Sequence, residues 1–207
     1  SPPGPRGGFY QSGIPGGPVT SCWYYRDAFC QPPDATRFED NLVEWTEALN
    51  NPRVLPPERK RDSGAVCGAE FAPGATSKNQ AADNLVASHA LVLDVDCWRD
   101  EEHPERPEPF TLDDIRQRLG DWRFVAWNTF NSTAAKRRWR VVIPLATPMP
   151  PSKYRALWHR INHVLGDTMS ESTSDPGRLG FVGTVASDEG QRDDEWYIHD
   201  ALRLVWD

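Results

Sequence analysis

No stretch of the 207-residue sequence approaches the roughly 18 continuous apolar residues of a membrane-spanning helix. The first residues also lack the apolar core of a secretory signal. Both absences lead to the expectation of a soluble intracellular protein with no membrane partner. Cysteine is scarce: Cys22, Cys30, Cys67 and Cys97 are scattered, with no Cys-x-x-Cys pair. This argues against a disulfide framework. A zinc site built on Cys22, Cys30 and a distant ligand lacks the usual spacing, so buried, reduced thiols are expected. No internal repeat is visible. The most informative absence is local. Between Trp122 and Val164 there is no aspartate or glutamate, yet eight basic residues fall there: Arg123, Lys136, Arg137, Arg138, Arg140, Lys153, Arg155 and Arg160. The rest of the chain holds 15 basic and 30 acidic residues, within a formal net charge of −7. An acidic chain is not one coated in nucleic acid. A segregated basic segment is either a local polyanion site or a cluster on a solvated face.

What is present centres on Leu91-Val-Leu-Asp-Val-Asp96. In a strand, alternate side chains share a face. Leu91, Leu93 and Val95 are therefore expected to enter a core, and Asp94 and Asp96 to project together on the other side, about 6–7 Å apart along the chain. Neighbouring carboxylates repel, and each raises the other's pKa unless a cation lies between them. Mg²⁺ commonly takes one or two carboxylates plus substrate phosphates. The pair thus reads as a metal site for nucleotide chemistry, or as a strand end running into the acidic loop of Asp100, Glu101 and Glu102.

Around this strand the chain falls into one domain, residues 21–207, after a flexible Pro/Gly-rich tail, residues 1–20. An aromatic first strand is expected near Cys22–Phe29 and a helix near Glu39–Leu49, stopped at Asn50-Asn-Pro52. Residues 50–64, with three prolines, read as a loop. A short strand is expected over Val66–Phe71 and a charged loop over Cys97–Pro109. Thr111 begins a helix with an acid at its third position, a capping-box variant, and Gly120 ends it. Arg123–Thr129 and Arg138–Pro144 read as a hairpin. Its second strand alternates, with Trp139, Val141 and Ile143 on one face and Arg138, Arg140 and Val142 on the other. Two arginines on one strand face suit bidentate phosphate contact; a solvated outer face is the alternative. Ser152–Leu165 is the clearest helix, with Ser152 as N-cap and Gly166 after its end. His159 and His163 share a face of it, without a zincin pattern, and are expected to be exposed. Arg178–Val182 reads as a short strand, and Trp196–Ile198 and Leu202–Trp206 as closing segments.

These pieces, in this order, resemble the catalytic domain of archaeo-eukaryotic primases, of the primase-polymerase type found in plasmid and phage replication proteins. Three stretches carry the likeness: the strand ending Asp94-x-Asp96; Asn128-Thr-Phe-Asn-Ser-Thr-Ala-Ala-Lys-Arg-Arg-Trp-Arg-Val-Val-Ile-Pro144; and Ser174-Asp-Pro-Gly-Arg-Leu-Gly-Phe-Val182. The likeness covers roughly residues 60–185. The resemblance implies an α/β (α+β) domain with an RRM-like mixed or antiparallel sheet flanked by helices. It implies template-directed nucleotidyl transfer on single-stranded DNA from nucleoside triphosphates by a two-metal mechanism with Mg²⁺ or Mn²⁺. Asp94, Asp96 and Asp175 would be the catalytic and metal-holding carboxylates, with Asp167 the alternative third. Arg138, Arg140, Arg178 and Lys136 would hold the triphosphate or template backbone. Thr129 and Ser132 could donate to phosphate oxygens, and Lys78 falls where related proteins carry a basic residue. The family's second motif is usually Ser-x-His, whereas Ser132-Thr-Ala134 puts alanine at the histidine position. That departure puts polymerase activity in more doubt than metal binding. A helicase domain or replication partner would lie outside this sequence, which holds no P-loop, and the setting would be the cytoplasm of a bacterial or phage-infected cell. Two other readings compete. A metal-dependent nucleotide-sugar glycosyltransferase also uses Asp-x-Asp after an apolar strand, but does not account for the acid-free window. A DNA-binding replication module with weakened catalysis accords with Ala134.

Overall fold

The computed structural model describes residues 7–11, 21–26, 28, 30, 35–39, 42–50, 53–75, 84–133, 136–182, 184–186, 196–201 and 203–206. Its elements are β1 (Gly7–Gln11), β2 (Ser21–Tyr25), β3 (Thr36–Glu39), α1 (Leu42–Asn50), β4 (Arg53–Leu55), a first 3-10 helix (Pro57–Asp62), β5 (Ala65–Cys67), β6 (Ala69–Phe71), β7 (Leu85–Val95), α2 (Leu112–Leu119), β8 (Phe124–Asn128), β9 (Trp139–Met149), α3 (Pro151–Val164), a second 3-10 helix (Glu171–Ser174), β10 (Gly180–Phe181), β11 (Thr184–Ala186) and β12 (Trp196–Asp200).

The aliphatic run before Asp94 gives β7, and the alternating run after Arg138 gives β9. They pair antiparallel at the centre of a six-stranded sheet ordered β1-β12-β8-β9-β7-β6. Within it only β1 and β12 run parallel. A four-stranded antiparallel sheet, β10-β5-β2-β3, and a parallel pair, β11-β4, complete the strands. The fold is thus mixed α+β, with largely antiparallel sheets flanked by helices.

Alternation sends the central strands into two cores. Leu91, Leu93 and Val95 pack with Val141, Ile143, Phe124 and Ala126 against Ile115 and Leu119 of α2 and Tyr154, Leu157, Trp158 and Ile161 of α3. On the other face Ala90, Val92, Val142, Val125 and Trp127 meet Trp45 and Leu49 of α1, Cys22 of β2 and Val66 of β5. A strand covered on both sides reads as a nearly continuous apolar run, which is why the segment before Asp94 is so uniformly aliphatic. Among the described residues no helix is long and apolar enough to cross a membrane.

Several local expectations are corrected. Residues 7–11, within the stretch expected to be a flexible tail, form β1, whose pairing with β12 needs main-chain groups rather than apolar periodicity. Residues 50–64 are not simply a loop: they hold β4 and the first 3-10 helix. Ser152 is not an N-cap. Helix α3 begins at Pro151, after Pro150, with no side-chain cap, because proline at the first helical position is preset in φ and has no N–H to satisfy. Leu204 makes only an isolated bridge to Leu145 rather than a closing strand. The four cysteines form no disulfide; Cys22, Cys30 and Cys67 are buried, as expected, and Cys97 is half-buried. His159 and His163 are exposed.

The α2 start follows its sequence signature. Thr111 Oγ1 accepts from the Asp114 N–H (3.2 Å), and Asp114 Oδ2 accepts from the Thr111 N–H (2.7 Å) and hydroxyl (2.7 Å). These bonds, the hydroxyl first, hold the Asp114 carboxyl below its ordinary range. Gly120 takes φ 59° at the other end. Asp114→Ala is expected to lower stability by about 1 kcal/mol at neutral pH. A depressed carboxylate contributes above its unfolded pKa, so the difference from wild type should vanish as pH falls below the ordinary aspartate value of about 3.9 and through the lower folded value. Urea unfolding of both proteins across that range measures it; an undiminished difference at the acid end would contradict the cap.

Candidate active site

β7 leaves the core at Asp94, whose side chain stays on the face of Ala90 and Val92, opposite Leu93 and Val95. In the ladder Asp94 lies directly across from Arg140 of β9. Arg140 Nε is 2.8 Å from Asp94 Oδ1, and both side chains are buried. Their approach is close but not aligned: neither atom completes a hydrogen bond. The contact is therefore an ion pair held by charge, in surroundings that strengthen charge interactions. Arg140 Nη1 donates to the Leu179 carbonyl at 3.1 Å. Gly180 makes this seat possible. A Cβ there would fall 2.7 Å from Val92 Cγ1 and 3.1 Å from Arg140 Cδ.

One step outward, Asp96 is half-buried, and Arg138 Nη1 lies 3.8 Å from its Oδ2. Burial, then the Asp94 charge, push the Asp96 carboxyl above the ordinary range, while Arg138, Arg140 and Lys136 pull it down. Both aspartates and both arginines thus share one side of the sheet, as the alternation predicts. The backbone around the aspartates is fixed by the segment after α3: the Asp96 and Cys97 amides donate to the Thr168 carbonyl, and the Ser170 amide donates to the Asp94 carbonyl.

The turn between β8 and β9 carries Arg138. Ser132, buried, accepts from the Asn128 side-chain amide (3.2 Å) and from the Arg138 N–H (2.9 Å). Its oxygen is engaged as an acceptor in shaping the turn, which leaves the hydroxyl proton to donate elsewhere. Thr129 is half-buried in the same turn, its N–H donating to the Arg138 carbonyl. The Trp98 indole donates to the Arg137 carbonyl from the side of α2. Lys136 is exposed on the turn. Ala134 and Lys78 lie outside the described residues.

The third carboxylate is less well served. Asp175 is exposed, and its Oδ1 accepts from the Gly177 N–H at 2.9 Å, an Asx turn before Pro176-Gly177. Asp167, with φ 58°, sits after α3, where Asn162 donates to its Oδ1 at 3.4 Å. Among the described residues no three histidine, cysteine, aspartate or glutamate side chains come together as a metal cluster.

The residue that sequence reading misses is Lys60, on the first 3-10 helix. Its ammonium lies near Asp94, Arg138, Arg140 and Arg178. It also lies 5.8 Å from the ring centre of Phe130 and 5.6 Å from that of Phe181. Burial, then Arg140, push it below the ordinary lysine range, with Asp94 opposing. The run Glu58-Arg-Lys-Arg-Asp62 in a proline-rich stretch looks like a solvated charge cluster, and nothing in its spacing reports what lies across from it.

Four cations, Lys60, Arg138, Arg140 and Arg178, thus gather around two carboxylates. Asp94 Oδ1 is buried without a hydrogen bond, and Asp96 is charged against its surroundings. Both conditions would be relieved by a divalent cation between them, so the donor pair fits such an ion.

Residues 42–201 match the family model of the VapE N-terminal domain. No curated protein matches the sequence. Among solved structures the chain is similar to the primase-polymerase (PrimPol) AEP domain of cyanophage S-2L, at 13% identity and a TM-score of 0.44, over 91% of this chain and 85% of that one.

Proposed function

We propose, for a chain that belongs to the VapE N-terminal domain family, that the cleft at the end of β7 is a primase-polymerase site. It would perform template-directed nucleotidyl transfer on single-stranded DNA, in the cytoplasm of a bacterial or phage-infected cell. The observation that carries this reading is the meeting of Asp94 and Asp96 with the buried Arg140 and half-buried Arg138 on one sheet face, with Lys60 and the exposed Arg178 beside them. A surplus of positive charge in a partly dry site calls for a polyanion, and paired carboxylates beside it call for a hard cation.

Asp94 and Asp96 would hold Mg²⁺ or Mn²⁺, which would supply Lewis-acid stabilisation of negative charge on the transferring phosphoryl group. Two carboxylates suffice where substrate phosphates complete the shell, so neither Asp175 nor Asp167 is needed for the site to work. Arg138, Arg178 and Lys60 would neutralise the triphosphate. Arg140 instead anchors Asp94: its guanidinium is spent on that carboxylate and on the Leu179 carbonyl. Ser132 and Asn128 fix the turn from which Arg138 reaches Asp96.

A second reading, a DNA-binding replication module with weakened catalysis, is favoured by the Asx turn that occupies Asp175 and by the ion pair that occupies Asp94. A primer-extension assay with a single-stranded template, labelled nucleoside triphosphates and Mn²⁺ or Mg²⁺ separates the two. Template-dependent product is expected. Template binding without product would favour the module, and nucleotide-sugar hydrolysis would overturn both.

A further inference from the structure

We propose that Phe181 presents a base-stacking wall beside the phosphate site, and that Lys60 covers it, and the buried Phe130 ring, when no nucleotide is bound. This rests on the reading of the cleft as a nucleoside triphosphate site and adds where the base goes.

Lys60 is held where a cation is poorly placed. Three arginines, Arg138, Arg140 and Arg178, lie close enough to repel its ammonium, against the attraction of Asp94, and burial removes part of its hydration. What stands in for a counter-charge is the pair of ring faces, 5.8 and 5.6 Å away. Such a contact is weaker than a charge-assisted hydrogen bond to phosphate. Lysine carries its charge on a flexible four-carbon stem, and the first 3-10 helix that bears it contributes no buried residue that would fix it. An arriving triphosphate would therefore draw the ammonium off the rings.

The rings stay where they are. Phe130 is buried in the β8–β9 turn. Phe181 lies in β10, paired with Ala65 of β5, and its carbonyl accepts from the Trp127 indole at 3.0 Å. Its side chain is half-buried, which leaves ring area to offer once Lys60 has moved. Aromatic faces beside a cationic groove stack bases with little regard to sequence, which suits a site that must accept each nucleotide in turn.

The test compares inorganic tripolyphosphate with ATP by calorimetry, both with Mg²⁺, on wild type, Lys60→Gln, Lys60→Arg and Phe181→Leu. Phe181→Leu keeps the apolar bulk and removes the π-face, so folding is preserved. Wild type is expected to bind ATP more tightly than tripolyphosphate. Lys60→Gln should weaken tripolyphosphate about tenfold, with Lys60→Arg restoring most of the loss. Phe181→Leu should leave tripolyphosphate unchanged and bring ATP down about tenfold, towards it. Tripolyphosphate binding unchanged in Lys60→Gln, or an undiminished ATP preference in Phe181→Leu, overturns the inference while the phosphate site stands. A wild type that binds neither ligand overturns the phosphate site itself, and the wall with it.

Discussion

Arg140→Ala is expected to lower folding stability by about 3–5 kcal/mol, a large share of the roughly 5–15 kcal/mol that holds a domain together. The reason is what the substitution leaves behind. Asp94 is buried at the centre of the main sheet, and Arg140 is its partner across the ladder. Removing the guanidinium strands a carboxylate away from water and orphans the Leu179 carbonyl as well. Arg140→Lys is not a mild version, because an ammonium cannot reach Asp94 and Leu179 with the same planar fork. Asp94→Ala strands the guanidinium in the same way. The double variant removes both charges and should be less destabilised than the two singles combined, by about 1–3 kcal/mol. Urea unfolding of the four proteins measures this coupling, and strictly additive losses would mean that the pair does not act as a unit. A consequence for function studies is that loss of activity in Arg140→Ala reports unfolding as readily as lost phosphate contact.

Asp96→Asn is expected to behave in the opposite way. Template-dependent incorporation should fall by at least about 100-fold, since even outer-shell partners of metal ligands are worth 10–100-fold. Stability should change by less than about 1 kcal/mol, because the Asp96–Arg138 contact is long and partly exposed. The charge removed is one that burial and Asp94 both oppose, so a small gain in stability would not be surprising. Initial rates at saturating nucleotide, read beside the urea midpoint, separate the two effects. Wild-type rates in the variant would remove Asp96 from the chemistry.

Much of the arrangement around these two residues was legible beforehand, because strand alternation is a short-range signal. Leu91, Leu93 and Val95 against Asp94 and Asp96, and Trp139, Val141 and Ile143 against Arg138 and Arg140, follow from a period of two. So does the capping box of α2. Register was not legible. That Asp94 meets Arg140, and Asp96 meets Arg138, depends on which strand neighbours which, and the period of two is silent on that. The four-stranded sheet was also hidden: its strands are two to five residues long, and β10 and β5 lie far apart in the chain. Lys60 was missed for a like reason, since its neighbours come from both sheets and the β8–β9 turn rather than from its own helix. The turn-shaping part of Ser132 was not legible either, since it depends on Asn128 and Arg138 reaching the same oxygen.

The double covering of β7 also decides how anything gets in. One core beneath the strand runs to Val95 and another above it runs to Val92, so both broad sides of β7 are covered up to the carboxylates. Past that cover the two carboxylates differ in exposure: Asp96 and Arg138 are partly exposed, whereas Asp94 and Arg140 are nearly sealed. A cation arriving from water would therefore meet Asp96 before Asp94.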